Sequence, residues 1–62
     1  MDYLPNNPDI LVSTINMLLR DEEFDSLDSL CDNFDTDSEK IQTKLLEAGY
    51  VYNELQKQFR PV

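Results

Sequence analysis

The sequence predicts a mainly α domain of α+β type, in which three short helices, the last two forming a helix-turn-helix, are closed by a short C-terminal β-hairpin. Three observations carry this prediction. Apolar residues recur at helical spacing in three separate blocks, a helix-start signal stands before each block, and the β-favouring run Tyr50-Val51-Tyr52 follows the only glycine, Gly49. The 62 residues make one small domain, and chains of this size bury only about 60% of the surface their unfolded form exposes. The hydrophobic fraction of 40%, with one glycine and three prolines, is too apolar and too periodic for a disordered chain, even at a net charge of −8.

Residues 1–7 read as an extended lead-in, because Pro5 and Pro8 restrict the residues before them to β or polyproline conformations. Asn7-Pro8-Asp9 is a helix start: Asn7 caps, Pro8 takes a position where no N–H is required, and Asp9 suits the positive end of the helix dipole. From residue 8 to residue 20, Ile10, Leu11, Ile15, Leu18 and Leu19 follow helical spacing, with Val12 and Met17 widening the stripe. Leu4, ahead of the cap, is placed to pack back on the first turn. Asn16 and Arg20 are read as structural, Asn16 bonding a loop backbone and Arg20 facing the helix C-terminus and the acids that follow.

A second helix is expected over residues 26–34, where Leu27, Leu30, Cys31 and Phe34 stand at i, i+3, i+4 and i+7, capped by Asp25 or Ser26. A third spans residues 37–48, with Ile41, Leu45 and Ala48 on one face, Leu46 broadening it, and Thr36 with Glu39 forming a capping box or Asp37 serving as the alternative cap. Gly49 is placed as the left-handed residue that ends this helix. Residues 50–60 then form a hairpin in which Tyr50 or Tyr52 pairs with Phe59, and Pro61 ends the pairing. The expected core is Leu11, Ile15, Leu18, Leu27, Leu30, Cys31, Phe34, Ile41, Leu45 and Phe59.

The charge distribution narrows the function classes. Residues 21–39 hold nine carboxylates and no base, so the negative charge lies in one block that is either a solvated face or a docking surface for a basic partner. Asp25, Asp28 and Asp32 are the candidate docking residues. An EF-hand loop begun at Asp35 would need glycine at its sixth position and glutamate at its twelfth, where Lys40 and Leu46 stand, so no metal or other cofactor is expected. Catalysis is not expected either, since there is no histidine and the charged residues near Cys31 in sequence are all acids, a setting that raises a thiol pKa. One thiol and the lack of a signal-like start suit a reducing compartment, and no apolar run approaches the ~20 residues of a membrane span, so a cytoplasmic protein without membrane contact is expected.

The leading expectation is therefore a non-enzymatic interaction module for another, basic protein. Its alternative is a helix-turn-helix nucleic-acid regulator acting as a dimer through Lys40 and Lys44, with Lys57 and Arg60 in support. Nucleic acid is disfavoured for the monomer, because five bases stand against thirteen acids and the acid block directly precedes the candidate recognition helix.

Leu4-Pro5 with Pro8, Ser13, Asn16-Met17, Leu19-Arg20-Asp21, Ser26-Leu27, Leu30-Cys31, Gly49-Tyr50, Tyr52-Asn53-Glu54 and Gln58-Phe59 together form a pattern that runs over nearly the whole chain. It resembles a family of small uncharacterised bacterial proteins catalogued only as a domain of unknown function. Thr36 departs from the aliphatic residue expected ahead of the last helix. The resemblance implies a free-standing one-domain protein and supplies no activity or functional residues to carry over.

Overall fold

The computed structural model describes residues 3–62, which form α1 (Pro8–Arg20), α2 (Leu27–Asn33), α3 (Ser38–Glu47), β1 (Tyr50–Asn53) and β2 (Gln58–Pro61). The first two residues of the expected lead-in lie outside this range. The hairpin lies over the helices, with β2 against α1 and β1 against α3, while α3 also packs on α1 and α2. The connection between α2 and α3 is four residues long, 34–37.

Side chains start all three helices. Asn7 Oδ1 accepts from the amides of Asp9 (2.9 Å) and Ile10 (3.3 Å), Ser26 Oγ accepts from Ser29 N (3.2 Å), and Asp37 Oδ1 accepts from Glu39 N (2.9 Å). Each bond satisfies an amide that the first helical turn cannot. Of the two caps weighed for α2 the structure uses Ser26, and for α3 it uses Asp37 in place of the Thr36 capping box. Thr36 is unavailable because it belongs to the end of α2. Its N–H donates to Cys31 O (2.9 Å) and that of Asp35 to Asp32 O (3.2 Å), with Asp35 at φ 55°. This is a Schellman motif with an aspartate in the left-handed position that glycine usually takes.

The same ending closes α1. Glu22, at φ 60°, donates to Leu19 O, and Glu23 donates to Leu18 O, both at 3.2 Å. At the end of α3, Gly49 takes φ 94° as expected and donates to Leu46 O (3.0 Å).

Leu11, Val12, Ile15, Leu19, Leu27, Leu30, Cys31, Ile41, Leu45 and Phe59 form the buried core. Fully burying each aliphatic side chain stabilises the fold by roughly 1.5–3 kcal/mol. Two expected members, Leu18 and Phe34, are only half-buried against its rim, where Phe34 meets Phe24 at a ring separation of 6.1 Å. Val12 and Leu19 are buried instead, because β2 and α3 both press on α1 and turn its inward face toward 11, 12, 15 and 19. Ile10 and Met17 face outward at 55% and 45% exposure, and Ala48 is exposed, so these three apolar positions are not core. Leu4 is half-buried against the core, as its place before the cap implies.

The strands pair antiparallel with Tyr50 opposite Pro61, Val51 opposite Arg60, Tyr52 opposite Phe59 and Asn53 opposite Gln58. Pairing therefore runs through Pro61 rather than stopping before it. Phe59 turns its N–H and C=O away from β1, so Tyr52–Phe59 is a non-hydrogen-bonded pair, and by alternation Tyr50–Pro61 is another. The N–H that Pro61 lacks would have pointed away from β1 in any case, and Val62 N resumes the ladder by donating to Gly49 O (2.9 Å). Residues 54–57 make the turn, where Asn53 Oδ1 accepts from Leu55 N (3.0 Å) and Gln56 N (3.2 Å) and Lys57 takes φ 53°.

Candidate docking surface

Asp28 and Asp32 stand one turn apart on the exposed side of α2, whose opposite side carries Leu27, Leu30 and Cys31 into the core. Asp25 is also exposed, but it precedes the helix and lines a separate groove with Arg20, Glu22, Gln56 and Lys57. Among the described residues the one ion pair is Arg20 Nε with Asp21 Oδ1 at 3.6 Å, on the surface. A single exposed pair of that kind contributes little to stability. Of the acid block only Asp21 is in ion-pair contact among the described residues, and the other eight carboxylates keep their field.

Cys31 is 1% exposed, and its thiol is pushed up to about 11, first by burial and then by the charges of Asp28, Asp32 and Asp37. A thiol held protonated on an apolar stripe behaves as a small hydrophobe, and it has none of the electropositive surroundings that make a nucleophile. Tyr52 is likewise raised above its ordinary 10.0, by partial burial first and then by Glu54 and Asp28. Two carboxylates from different parts of the chain thus converge on one tyrosine ring.

Lys40 and Lys44 lie one turn apart on α3, in the company of Asp37, Glu39 and Glu47. Both also line a hollow of about 250 Å³ with Leu4, Pro5, Asn6 and Phe34, and Lys44 is half-buried there. The two ammonium groups share their surface with carboxylates and with the lead-in. Arg60 Nη1 donates to Gln56 Oε1 (2.7 Å) within the hairpin.

Asn16 makes a more specific contact than a loop bond. Its Nδ2 donates to Phe59 O (3.1 Å), its Oδ1 accepts from Phe59 N (2.7 Å), and Gln58 Nε2 donates to Asn16 O (3.0 Å). One side-chain amide thus takes the place of a neighbouring strand at the outer edge of β2. No sequence signal distinguishes this role, since the partner lies 43 residues away.

The opposite edge has no such cover. Along β1, the outward groups are those of Tyr50 and Tyr52, and among the described residues neither backbone makes a hydrogen bond on that side. Beside them runs a groove of about 570 Å³ lined by Glu39, Gln42, Thr43, Leu46, Tyr50, Val51 and Tyr52. Leu46 is 57% and Val51 47% exposed. A second hollow of about 280 Å³, lined by Ser26, Leu27, Asp28, Glu54 and Lys57, shares Gln42 and Tyr52 with the first. The two together form one channel along the β1 edge. Leu46, Val51 and Glu54 were not singled out by sequence reasoning as site residues, because each is unremarkable until α3 and β1 are set side by side.

Among the described residues no helix is long and apolar enough to cross a membrane, and no group of three or more His, Cys, Asp or Glu side chains is arranged to hold a metal ion. Residues 5–59 match the family described as a domain of unknown function, DUF4250, and the chain belongs to that family. No curated protein and no solved structure matches it.

Proposed function

We propose that this chain is a non-enzymatic protein-interaction module that docks a basic partner on its acidic face. The observation that carries this reading is the pair Asp28 and Asp32, one turn apart on the outer side of a helix and outside any ion-pair contact among the described residues. Clustered like charges in that setting raise the local concentration of cations and steer a cationic surface toward them. A nucleic-acid role through Lys40 and Lys44 is the weaker reading, since Asp37, Glu39 and Glu47 surround those lysines and would repel a phosphate backbone.

The test is affinity capture with the whole chain as bait, compared with a variant carrying Asp25→Asn, Asp28→Asn and Asp32→Asn together. All three positions are exposed, so the variant should fold. A basic protein held by the native chain at low salt and lost from the variant supports the reading, and equal retention by both overturns it.

A further inference from the structure

We infer that the β1 edge and the channel beside it bind an extended, lysine- or arginine-bearing peptide segment, which adds to the hairpin as a third strand next to α3. This deepens the acidic-docking reading and rests on it, because it names the form of the partner. Three features converge here. The outward N–H and C=O groups of Tyr50 and Tyr52 are a ready template for a strand, whereas the equivalent edge of β2 is closed by Asn16. The exposed side chains of Leu46 and Val51 offer apolar seats for alternate residues of an added strand, the arrangement by which strand addition gains specificity. The channel walls also carry Glu39, Asp28 and Glu54 against Lys57 alone, while β1 itself is uncharged.

That charge selects the occupant. A second copy would bring another net charge of −8 to the same edge and set carboxylates against carboxylates. A basic strand instead places cations beside Asp28 and Glu54, which line one hollow with Tyr52. A strand rises about 3.4 Å per residue, so a segment of roughly four to six residues spans β1.

The experiment uses the whole ¹⁵N-labelled protein and a synthetic fluorescent six-residue peptide alternating lysine with valine or threonine. Controls are the same peptide with glutamate for lysine, and a helix-forming alanine–lysine peptide of equal charge. The expected result is saturable binding of the lysine strand peptide alone, with slowed amide exchange at Tyr50 and Tyr52. Asp28→Asn with Glu54→Gln should weaken that binding about fivefold to tenfold, and Leu46→Lys, at an exposed position, should weaken it independently.

Binding that leaves the Tyr50 and Tyr52 amides unchanged, or that the helical peptide matches, overturns the strand-addition site. If such binding is still abolished by Asp25→Asn with Asp32→Asn, neither of which lines the channel, the acidic-face reading stands without it. Absence of binding by any cationic peptide at low salt overturns both. Protected Tyr50 and Tyr52 amides in a peptide-free sample of twice the monomer mass give the edge to a second copy and overturn the peptide as occupant.

Discussion

Along β2, the outward N–H and C=O of Phe59 meet the side-chain amide of Asn16 at 2.7 and 3.1 Å, while along β1 the corresponding groups of Tyr52 face an open channel beside α3. The two edges belong to one hairpin of eight strand residues and differ only in what the neighbouring helix offers. On the α1 side a half-buried asparagine matches the donor and acceptor of a strand residue, so the backbone groups are desolvated and satisfied together. On the α3 side, the residues nearest the edge are Gln42, Thr43 and Leu46, and among the described residues none of them bonds it. A short hairpin gains stability by being packed, yet an exposed strand edge is a pairing surface. Here one edge is closed from within the chain and the other is left for something else.

Substitutions around the closed edge should have the largest effects. Phe59→Ala removes the ring that packs tilted against Tyr52, with ring centres 5.0 Å apart, and joins β2 to the core. The expected loss is about 3–5 kcal/mol, against a total of about 3–9 kcal/mol for a domain this size, so a urea titration followed by circular dichroism should find the midpoint lowered by roughly half or more. Asn16→Ala leaves the Phe59 amide and carbonyl without partners and should cost about 2–3 kcal/mol in a urea titration. Asn16→Asp accepts from Phe59 N–H but sets its second carboxylate oxygen against the Phe59 carbonyl, and should recover none of that loss at neutral pH. If Asn16→Ala were neutral, the contrast between the edges would have no energetic meaning.

The pH dependence probes the ground beneath the open edge. The Cys31 thiol is raised from 9.0 to about 11 and Tyr52 is raised above 10.0. Both are acids whose neutral form the fold favours, so the thiol's contribution is complete below pH 9 and is lost as the pH climbs toward 11, whereas the phenol's is lost only above pH 10. Cys31→Ala should flatten the thiol's share of that decline in thermal melts followed from pH 8 to 11. Gly49→Ala, at the entry to β1, meets no steric obstacle, but it must hold φ 94°. It should cost about 1–2 kcal/mol through backbone strain alone, with Gly49→Asn costing less. The smallest effect is expected at Arg20→Ala, which breaks only the exposed contact with Asp21 and should stay within about 0.5 kcal/mol.

Helix ends show how far local pattern reading reaches. Asn7 and Ser26 are caps because they directly precede an apolar run, and Gly49 ends a helix because it has no Cβ, all of which is local information. The other two C-terminal ends use Glu22 and Asp35, and no glycine marks them; a left-handed φ is uncommon for any residue with a Cβ, although aspartate takes it more readily than glutamate. Thr36 looks like a cap in sequence for the same reason, since its N–H is committed to Cys31 O only once Asp35 has turned. The candidate site follows the same division. Asp28 was visible as part of an acid block, whereas its neighbourhood with Tyr52, Glu54 and Gln42 depends on β1 lying beside α3.

By itself the sequence determined the three helices, the hairpin, the pairing of one β1 tyrosine with Phe59 (the structure chose Tyr52) and most of the core, because these follow from periodicity, capping and β-propensity within short windows. It also determined the acidic character, which is simple composition. Only the tertiary structure decided which face of α1 turns inward, that Asn16 serves as a strand neighbour, and which hairpin edge stays open. Those outcomes depend on the angle at which elements some forty residues apart meet, and the free energy that sets this angle comes from their joint burial.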